Sequence, residues 1–167
     1  MRNDTDIAEP RYGLAKAKAE EMWKNQAQKK VPVMLNDIVS ALGANVRESD
    51  LEASGVTQMD KAGFCIIMYK SGMSDVRKRF TVAHEIGHIA LEHITFDGSS
   101  SQFSGKSQEK EADEFAGQLL VPAKDLRQFM KNKDKTIEDI MKRYWVSRPA
   151  AVVAVEKNRL LNKLSIS

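Results

Sequence analysis

Two histidines and a glutamate in the stretch "HEIGH" have the spacing of a metal-dependent hydrolase. His84 and His88 are four residues apart, just over one helical turn, so both project from one face of a helix and can bind one ion. Glu85 lies about 100° around the helix from His84, which places its carboxylate beside the ion and not on it. Such an ion activates water for attack on a carbonyl, and Glu85 takes the proton. The alternative is a chance collection of polar residues on an amphipathic helix.

A catalytic zinc needs a third protein ligand, and two regions of the sequence offer one. His93 lies five residues after His88, which is about 140° around a continuous helix. We therefore expect His93 to face away from the pair, as a helix C-terminal residue favoured by the helix dipole. A second helix, predicted over residues 107–120, carries Glu109 and Asp113 four residues apart on one face.

The acidic residues of that second helix differ in their angle around its axis. One carboxylate of the Glu109–Asp113 pair can bind the ion, while the other holds a ligating imidazole by its second nitrogen. We predict Glu109 as the ligand and Asp113 as the residue that orients a histidine. Glu111 is offset about 200° from Glu109 and is the fallback ligand. The alternative is that acidic residues occupy these first turns only because the helix dipole favours them there. Zinc is the expected ion, and the same ligand set can hold manganese or iron.

The stretches "RKRFTVAHEIGHIALEH" and "EKEADEFAGQLLVP" together resemble the ImmA/IrrE family of small zinc metallopeptidases. The likeness covers about residues 33–121 and includes the "GFCIIMY" strand and the "LNDIVSALG" helix. It implies a gluzincin-like fold, in which a small sheet packs on the motif helix. By motif position it implies that His84, His88 and Glu109 are the metal ligands and that Glu85 is the catalytic acid/base.

The same resemblance implies a function, the cleavage of helix-turn-helix transcriptional repressors of phages, conjugative elements or stress regulons. The sequence departs from the family pattern at Glu92, where a histidine is common, at Asp113, commonly Asn, and at Val121, usually Met. None of these departures removes a predicted ligand. We therefore interpret the chain as a metal-dependent endopeptidase with a repressor as its substrate. The alternative, from a different class, is a non-enzymatic DNA-binding or antitoxin-like module whose metal site is structural.

The elements that position these residues are a few early strands followed by helices. This order indicates an α+β fold, with a small antiparallel or mixed sheet packed on the motif helix in a zincin-like arrangement. Strands are predicted at residues 44–49 and 62–70, and residues 51–60 are interpreted as a connection. The predicted helices cover residues 10–30, 35–43, 75–93, 107–120, 123–132, 136–145 and 147–164.

The order of the predicted elements divides the chain into two regions. The first is a metallopeptidase core over residues 1–121, with its N-terminal helix, and the second is a helical region over residues 122–167. The second region resembles a helix-turn-helix unit. As a DNA-binding unit it would contact DNA through Arg148, Lys157 and Arg159. As a structural or substrate-docking unit, which we favour, it completes the core through the apolar residues Ile137, Ile140, Met141, Val152 and Val155.

One segment between the two metal-binding helices is expected to border the substrate cleft. It runs from Thr95 to Ser107 and is polar and rich in glycine and serine. Loops of this kind connect functional elements and move when substrate is absent, so we expect this one to be mobile without substrate.

The composition excludes several other classes of protein. With 42% hydrophobic and 29% charged residues in a chain of 167, the sequence is typical of a soluble globular protein. A formal charge of +3 does not by itself argue for a nucleic-acid partner. The single cysteine, Cys65, excludes an internal disulfide framework and is interpreted as a buried structural thiol. There is no apolar run of signal-peptide or membrane-span type. We expect a cytoplasmic location and no membrane partner.

Overall fold

The computed structural model describes residues 9–60, 62–94, 105–132 and 134–165. Most of the segment predicted to border the cleft, residues 95–104, lies outside these described residues. The described elements follow the order of two helices, three strands and five helices. The predicted α+β class is therefore confirmed.

The sheet is mixed and has its most apolar strand in the centre. Its three strands are β1 (Ala44–Ser49), β2 (Gly55–Met59) and β3 (Cys65–Lys70), in the spatial order β1-β3-β2. β3 pairs parallel with β1 and antiparallel with β2. Ile67 and Met68 of β3 are buried, as expected for a strand with a neighbour on each side.

The interpretation of residues 51–60 as a connection is wrong, because Gly55–Met59 forms β2. Only Val56 and Thr57 of this strand are buried, so the alternation of buried and exposed residues that marks a strand is nearly absent from its sequence. The strand forms because it pairs with β3 over its whole length, from Gly55 opposite Tyr69 to Met59 opposite Cys65. That long-range pairing cannot be read from the residues of β2 themselves.

Helices account for most of the remaining described residues, and two of them begin at a side chain that caps the helix. Thr136 accepts a hydrogen bond from the backbone N–H of Asp139, and Ser147 accepts one from that of Ala150, as helix N-caps do. The helices are α1 (Tyr12–Lys24), α2 (Leu35–Ala41), α3 (Asp75–Ala90), α4 (Lys106–Leu120), α5 (Ala123–Phe129), α6 (Ile137–Tyr144) and α7 (Arg148–Lys157), followed by a 3-10 turn at Leu161–Lys163.

The first helix, α1, packs against α4 through small side chains. Ala15, Ala19 and Trp23 are its buried residues, whereas Leu14 is 39% exposed. Alanines at this face allow the two helix backbones to approach closely, and this approach carries the residue before α1 towards the first turns of α4.

One hydrophobic core joins the sheet, the motif helix and the C-terminal helices. Ile86 of α3, Phe115 of α4, Tyr144 of α6 and Val155 of α7 are fully buried in the same cluster. This core contains residues from both sides of Val121. The division of the chain into two regions at Val121 stays a prediction. Within the described residues, no helix combines the length and the apolar character needed to cross a membrane.

Candidate metal centre

The two helices that carry the site, α3 and α4, approach closely at Gly87. A Cβ atom at this position would lie 3.0 Å from Cδ1 of Phe115 and 3.2 Å from the Cα of Ala112. Because glycine has no Cβ, the backbones of α3 and α4 come close enough for the motif face of α3 to meet the acidic first turns of α4. The glycine of "HEIGH" therefore has a packing role.

We expect Gly87→Ala to destabilise the fold by about 1–2 kcal/mol, because overpacking against Ala112 and Phe115 outweighs the higher helix propensity of alanine. Chemical denaturation measures this change. Gly117→Ala is the matched control, since a Cβ on Gly117 of α4 would meet nothing within 4 Å and should stabilise the helix. A Gly87→Ala protein that is as stable as the Gly117→Ala protein would contradict the packing role.

Three side chains converge in the manner of a metal site. The Nε2 atoms of His84 and His88 lie 3.0 Å apart. Oε2 of Glu109 lies 3.2 Å from Nε2 of His84, and its Oε1 lies 3.3 Å from Nε2 of His88. Two tetrahedral ligands at zinc bond lengths are separated by about 3.3 Å, so the donor set and its spacing fit a divalent ion with one position left for substrate or water. Among the described residues, these three form the candidate metal-binding group.

The acidic side chains of Asp113 and Glu109 stabilise a positive charge at His84. Burial alone would lower the pKa of His84, but its hydrogen bonds to Asp113 and Glu109 raise that pKa to about 9. The Asp113 contact joins its Oδ1 to Nδ1 of His84 at 2.8 Å, which leaves Nε2 directed at the other two donors. Asp113 thus lies where the sequence placed it, on the second nitrogen of a candidate ligand.

The expectation that His93 faces away from the motif is wrong. α3 ends at Ala90, and Glu92 has a φ of 58°, so the chain turns back on itself before His93. Nδ1 of His93 lies 3.0 Å from Nδ1 of His88, and the imidazole is buried. The predicted angle of about 140° assumed a continuous helix. A left-handed conformation at a residue other than glycine is uncommon, and the sequence around Glu92 does not indicate it.

Glu111, the fallback ligand, is engaged elsewhere. Its carboxylate accepts hydrogen bonds from the backbone N–H and the guanidinium of Arg11 at 2.8–3.1 Å, and it lies 2.9 Å from Nε2 of His93. Burial favours the neutral acid, but the hydrogen bonds from Arg11 and His93 lower the pKa of Glu111 to about 2. The structure places Glu109, and not Glu111, next to the two motif histidines.

Glu85 is held from the sheet side. Oγ1 of Thr57 in β2 donates a 2.7 Å hydrogen bond to Oε2 of Glu85, and both residues are buried. Gly55, at the start of β2, provides the space for this contact, because a Cβ there would lie 2.5 Å from Cγ2 of Thr81 and 2.9 Å from Oε1 of Glu85. β2, which was not predicted from the sequence, therefore positions Glu85, the predicted catalytic base.

A cleft of about 740 Å³ opens over these residues. It lies between the segment before β2 and the facing sides of α3 and α4. Its lining includes His84, Glu85, His88, Glu109 and Asp113. The candidate ligands and Glu85 are therefore reached from one solvent-accessible space, as an enzyme acting on a peptide would need.

Sequence reasoning missed the residues that support the site, namely Thr57, His93 and Arg11. Two signals were available for His93. It is one of only three histidines in the chain, and it follows the motif closely. No local signal marks Arg11, which stands 100 positions before its partner Glu111.

Comparisons with known proteins agree with the geometry. The family model of the IrrE N-terminal-like domain, a peptidase family, matches residues 39–156. No curated protein matches the sequence significantly. Among solved structures, a Mycobacterium tuberculosis transcriptional regulator is similar over 85% of this chain, with a TM-score of 0.61 and 15% sequence identity. At that identity the likeness shows the fold alone, and the match covers 46% of the regulator, so this chain spans about half its length.

The family match covers well over half of the chain and includes both metal-binding helices. It confirms the resemblance inferred from the motifs. The chain belongs to the IrrE N-terminal-like domain family of metal-dependent peptidases.

Proposed function

We propose that the protein is a zinc-dependent endopeptidase that cleaves a helix-turn-helix transcriptional repressor in the cytoplasm. The observation that carries the proposal is the convergence of His84, His88 and Glu109 at 3.0–3.3 Å beside the buried carboxylate of Glu85. The ligand set alone would also suit manganese or iron. The buried and unpaired Cys65 is in keeping with a reducing compartment.

The residues of the site divide the chemistry among them. His84, His88 and Glu109 would hold a divalent ion, which when bound would supply Lewis-acid activation of water and of the scissile carbonyl. Glu85 accepts the proton of the attacking water on its carboxylate and passes it to the leaving amine. Thr57 fixes Oε2 of Glu85 by its hydrogen bond, which keeps the base in one orientation during this transfer.

The substrate class is proposed from the family resemblance. The similar solved structure is a transcriptional regulator, which is in keeping with a role in transcription and does not identify a substrate. The cleft over the site is open at the surface, so an extended segment of a protein can reach Glu85 and the ligands.

The C-terminal helices are proposed to support the fold or dock the substrate and not to bind DNA. Lys157 forms an ion pair with the buried Glu114 of α4, and Arg148 forms one with Glu138 of α6. Two of the three cations that the DNA-binding interpretation needs are thus already engaged with carboxylates, which reduces the charge available for phosphate contacts. Ile140 and Val155 are fully buried, in keeping with a role in the core.

The test starts from the genes that flank this one, and a helix-turn-helix repressor encoded there is purified as the candidate substrate. We expect the zinc-loaded protein to convert the repressor into two fragments, 1,10-phenanthroline to stop the reaction, and added Zn²⁺ to restore it. Mass spectrometry of the products and a gel-shift assay of the repressor on its operator are read in parallel. Loss of operator binding with the repressor chain intact would instead favour the non-enzymatic regulatory module.

A further inference from the structure

A series of contacts runs from the protein surface to the candidate ligand His88, and the proposed chemistry does not use it. The series is Arg11, Glu111, His93 and His88. The side chains of His93 and Glu111 are 1% and 3% exposed, whereas that of Arg11 is 53% exposed. A buried imidazole and a buried carboxylate are costly unless each is paired, and here each has a partner on both sides.

The carboxylate of Glu111 determines the direction of every hydrogen bond in the series. An ionised carboxylate only accepts, so His93 donates its Nε2–H to Oε2 of Glu111 at 2.9 Å. Nδ1 of His93 then carries a lone pair and accepts the Nδ1–H of His88 at 3.0 Å. His88 is left with its lone pair on Nε2, the atom that faces His84 and Glu109. This is the tautomer that can bind a metal ion.

Arg11 anchors the outer end of the series. Its backbone N–H and its guanidinium bind both oxygens of Glu111 at 2.8–3.1 Å. Its Nη2 atom lies 3.3 Å from Nε2 of His93, so two donors converge on the same carboxylate.

The two motif histidines are held in different ways. His84 is oriented by Asp113, a residue of the cleft whose side chain is 59% exposed. His88, with a side chain only 1% exposed, is oriented from the interior by His93. His93 is held in turn by Glu111 of α4 and, through it, by Arg11, the residue preceding α1. The close packing of α1 on α4 thus contributes to the geometry of a ligand that neither helix carries.

We propose that Arg11, Glu111 and His93 are positioning residues that set the metal affinity of the site, by holding His88 in the tautomer and orientation that bind a divalent ion. The inference rests on the metal-binding part of the proposed function and is independent of the substrate. Hydrogen-bond partners of metal-binding histidines typically change metal affinity about 10–100-fold.

Competition for Zn²⁺ with a chromophoric chelator at fixed pH tests the proposal on the full chain. His93→Leu should weaken Zn²⁺ binding by about 10–100-fold, because His88 loses the acceptor for its Nδ1–H. His93→Asn should weaken it less, since the amide oxygen can replace the Nδ1 acceptor. Arg11→Gln, which leaves both inner residues in place, should also weaken it less than His93→Leu. The absorption spectrum of the Co²⁺-loaded protein should change in His93→Leu.

Arg143→Gln is the matched control, because it breaks an equally bidentate pair, with Asp125, away from the cleft. It should leave the Zn²⁺ affinity and the Co²⁺ spectrum unchanged. If His93→Leu does not fold, the milder His93→Asn and Arg11→Gln proteins decide. Wild-type affinity in these variants, or an equal loss in Arg143→Gln, would overturn the proposal. A wild-type protein that binds no Zn²⁺ would overturn the metal site itself and, with it, this inference.

Discussion

Glu85→Gln is expected to lower the rate of repressor cleavage by about 10²–10⁴-fold, the usual contribution of a general base. The amide cannot accept the proton of the attacking water at neutral pH. It keeps the size of the carboxylate, and its oxygen can still accept the hydrogen bond from Thr57, so the fold should be retained. Metal content should also be unchanged, because Glu85 is not one of the three converging donors. Single-turnover cleavage and elemental analysis of the same preparation measure both effects.

Glu114→Gln is the control for removing a buried negative charge. Glu114 is 4% exposed, close to the 3% of Glu85, but it pairs with Lys157 and does not line the cleft over the metal site. Its neutralisation should reduce stability and leave cleavage near the wild-type rate. Equal cleavage by wild type and Glu85→Gln would mean that another group takes the proton. A similar loss in Glu114→Gln would mean that the effect is one of folding.

Glu109→Ala is expected to remove the bound metal and, with it, the activity. The Glu109 side chain is 47% exposed, so its truncation removes little packing and the fold should survive. Two imidazoles without the carboxylate leave a divalent ion with too few protein ligands for a stable site. Elemental analysis after dialysis should give close to one Zn²⁺ per chain in wild type and close to none in the variant.

Glu138→Ala is the control for Glu109→Ala because its side chain has a similar exposure of 48% and also contacts a cation. It should retain its zinc. Glu111→Ala separates two roles, since a positioning residue lowers the affinity, whereas a ligand abolishes binding. Full zinc occupancy in Glu109→Ala together with none in Glu111→Ala would show that the fallback ligand is the true one.

The parts of the site that follow a regular helix could be read from the sequence. His84 and His88 share a face of α3 because four residues make about one turn, and the same rule put Glu109 and Asp113 on one face of α4. Helix geometry is local, so the spacing alone determines these angles. The strand β3 was equally readable, because a central strand is apolar along most of its length.

The features that were not predicted from the sequence depend on contacts between distant segments or on an irregular backbone. β2 is a strand because of its pairing with β3, and its own residues give little sign of it. His93 reaches His88 only because Glu92 adopts a left-handed conformation. Arg11 meets Glu111 because α1 packs on α4, a contact between residues 100 positions apart. Spacing rules carry no information on such contacts.

The order of the chain has a consequence for its synthesis. All three histidines precede α4, whose carboxylates hold them. A growing polypeptide that has released α3 but not α4 presents imidazoles alone, a set that selects poorly among transition metals. Because chains emerge N-terminus first, a complete binding site appears only after α4 has left the ribosome and packed on α3. We therefore expect metal loading to follow the packing of α4 on α3, so that the ion is selected by the complete ligand set.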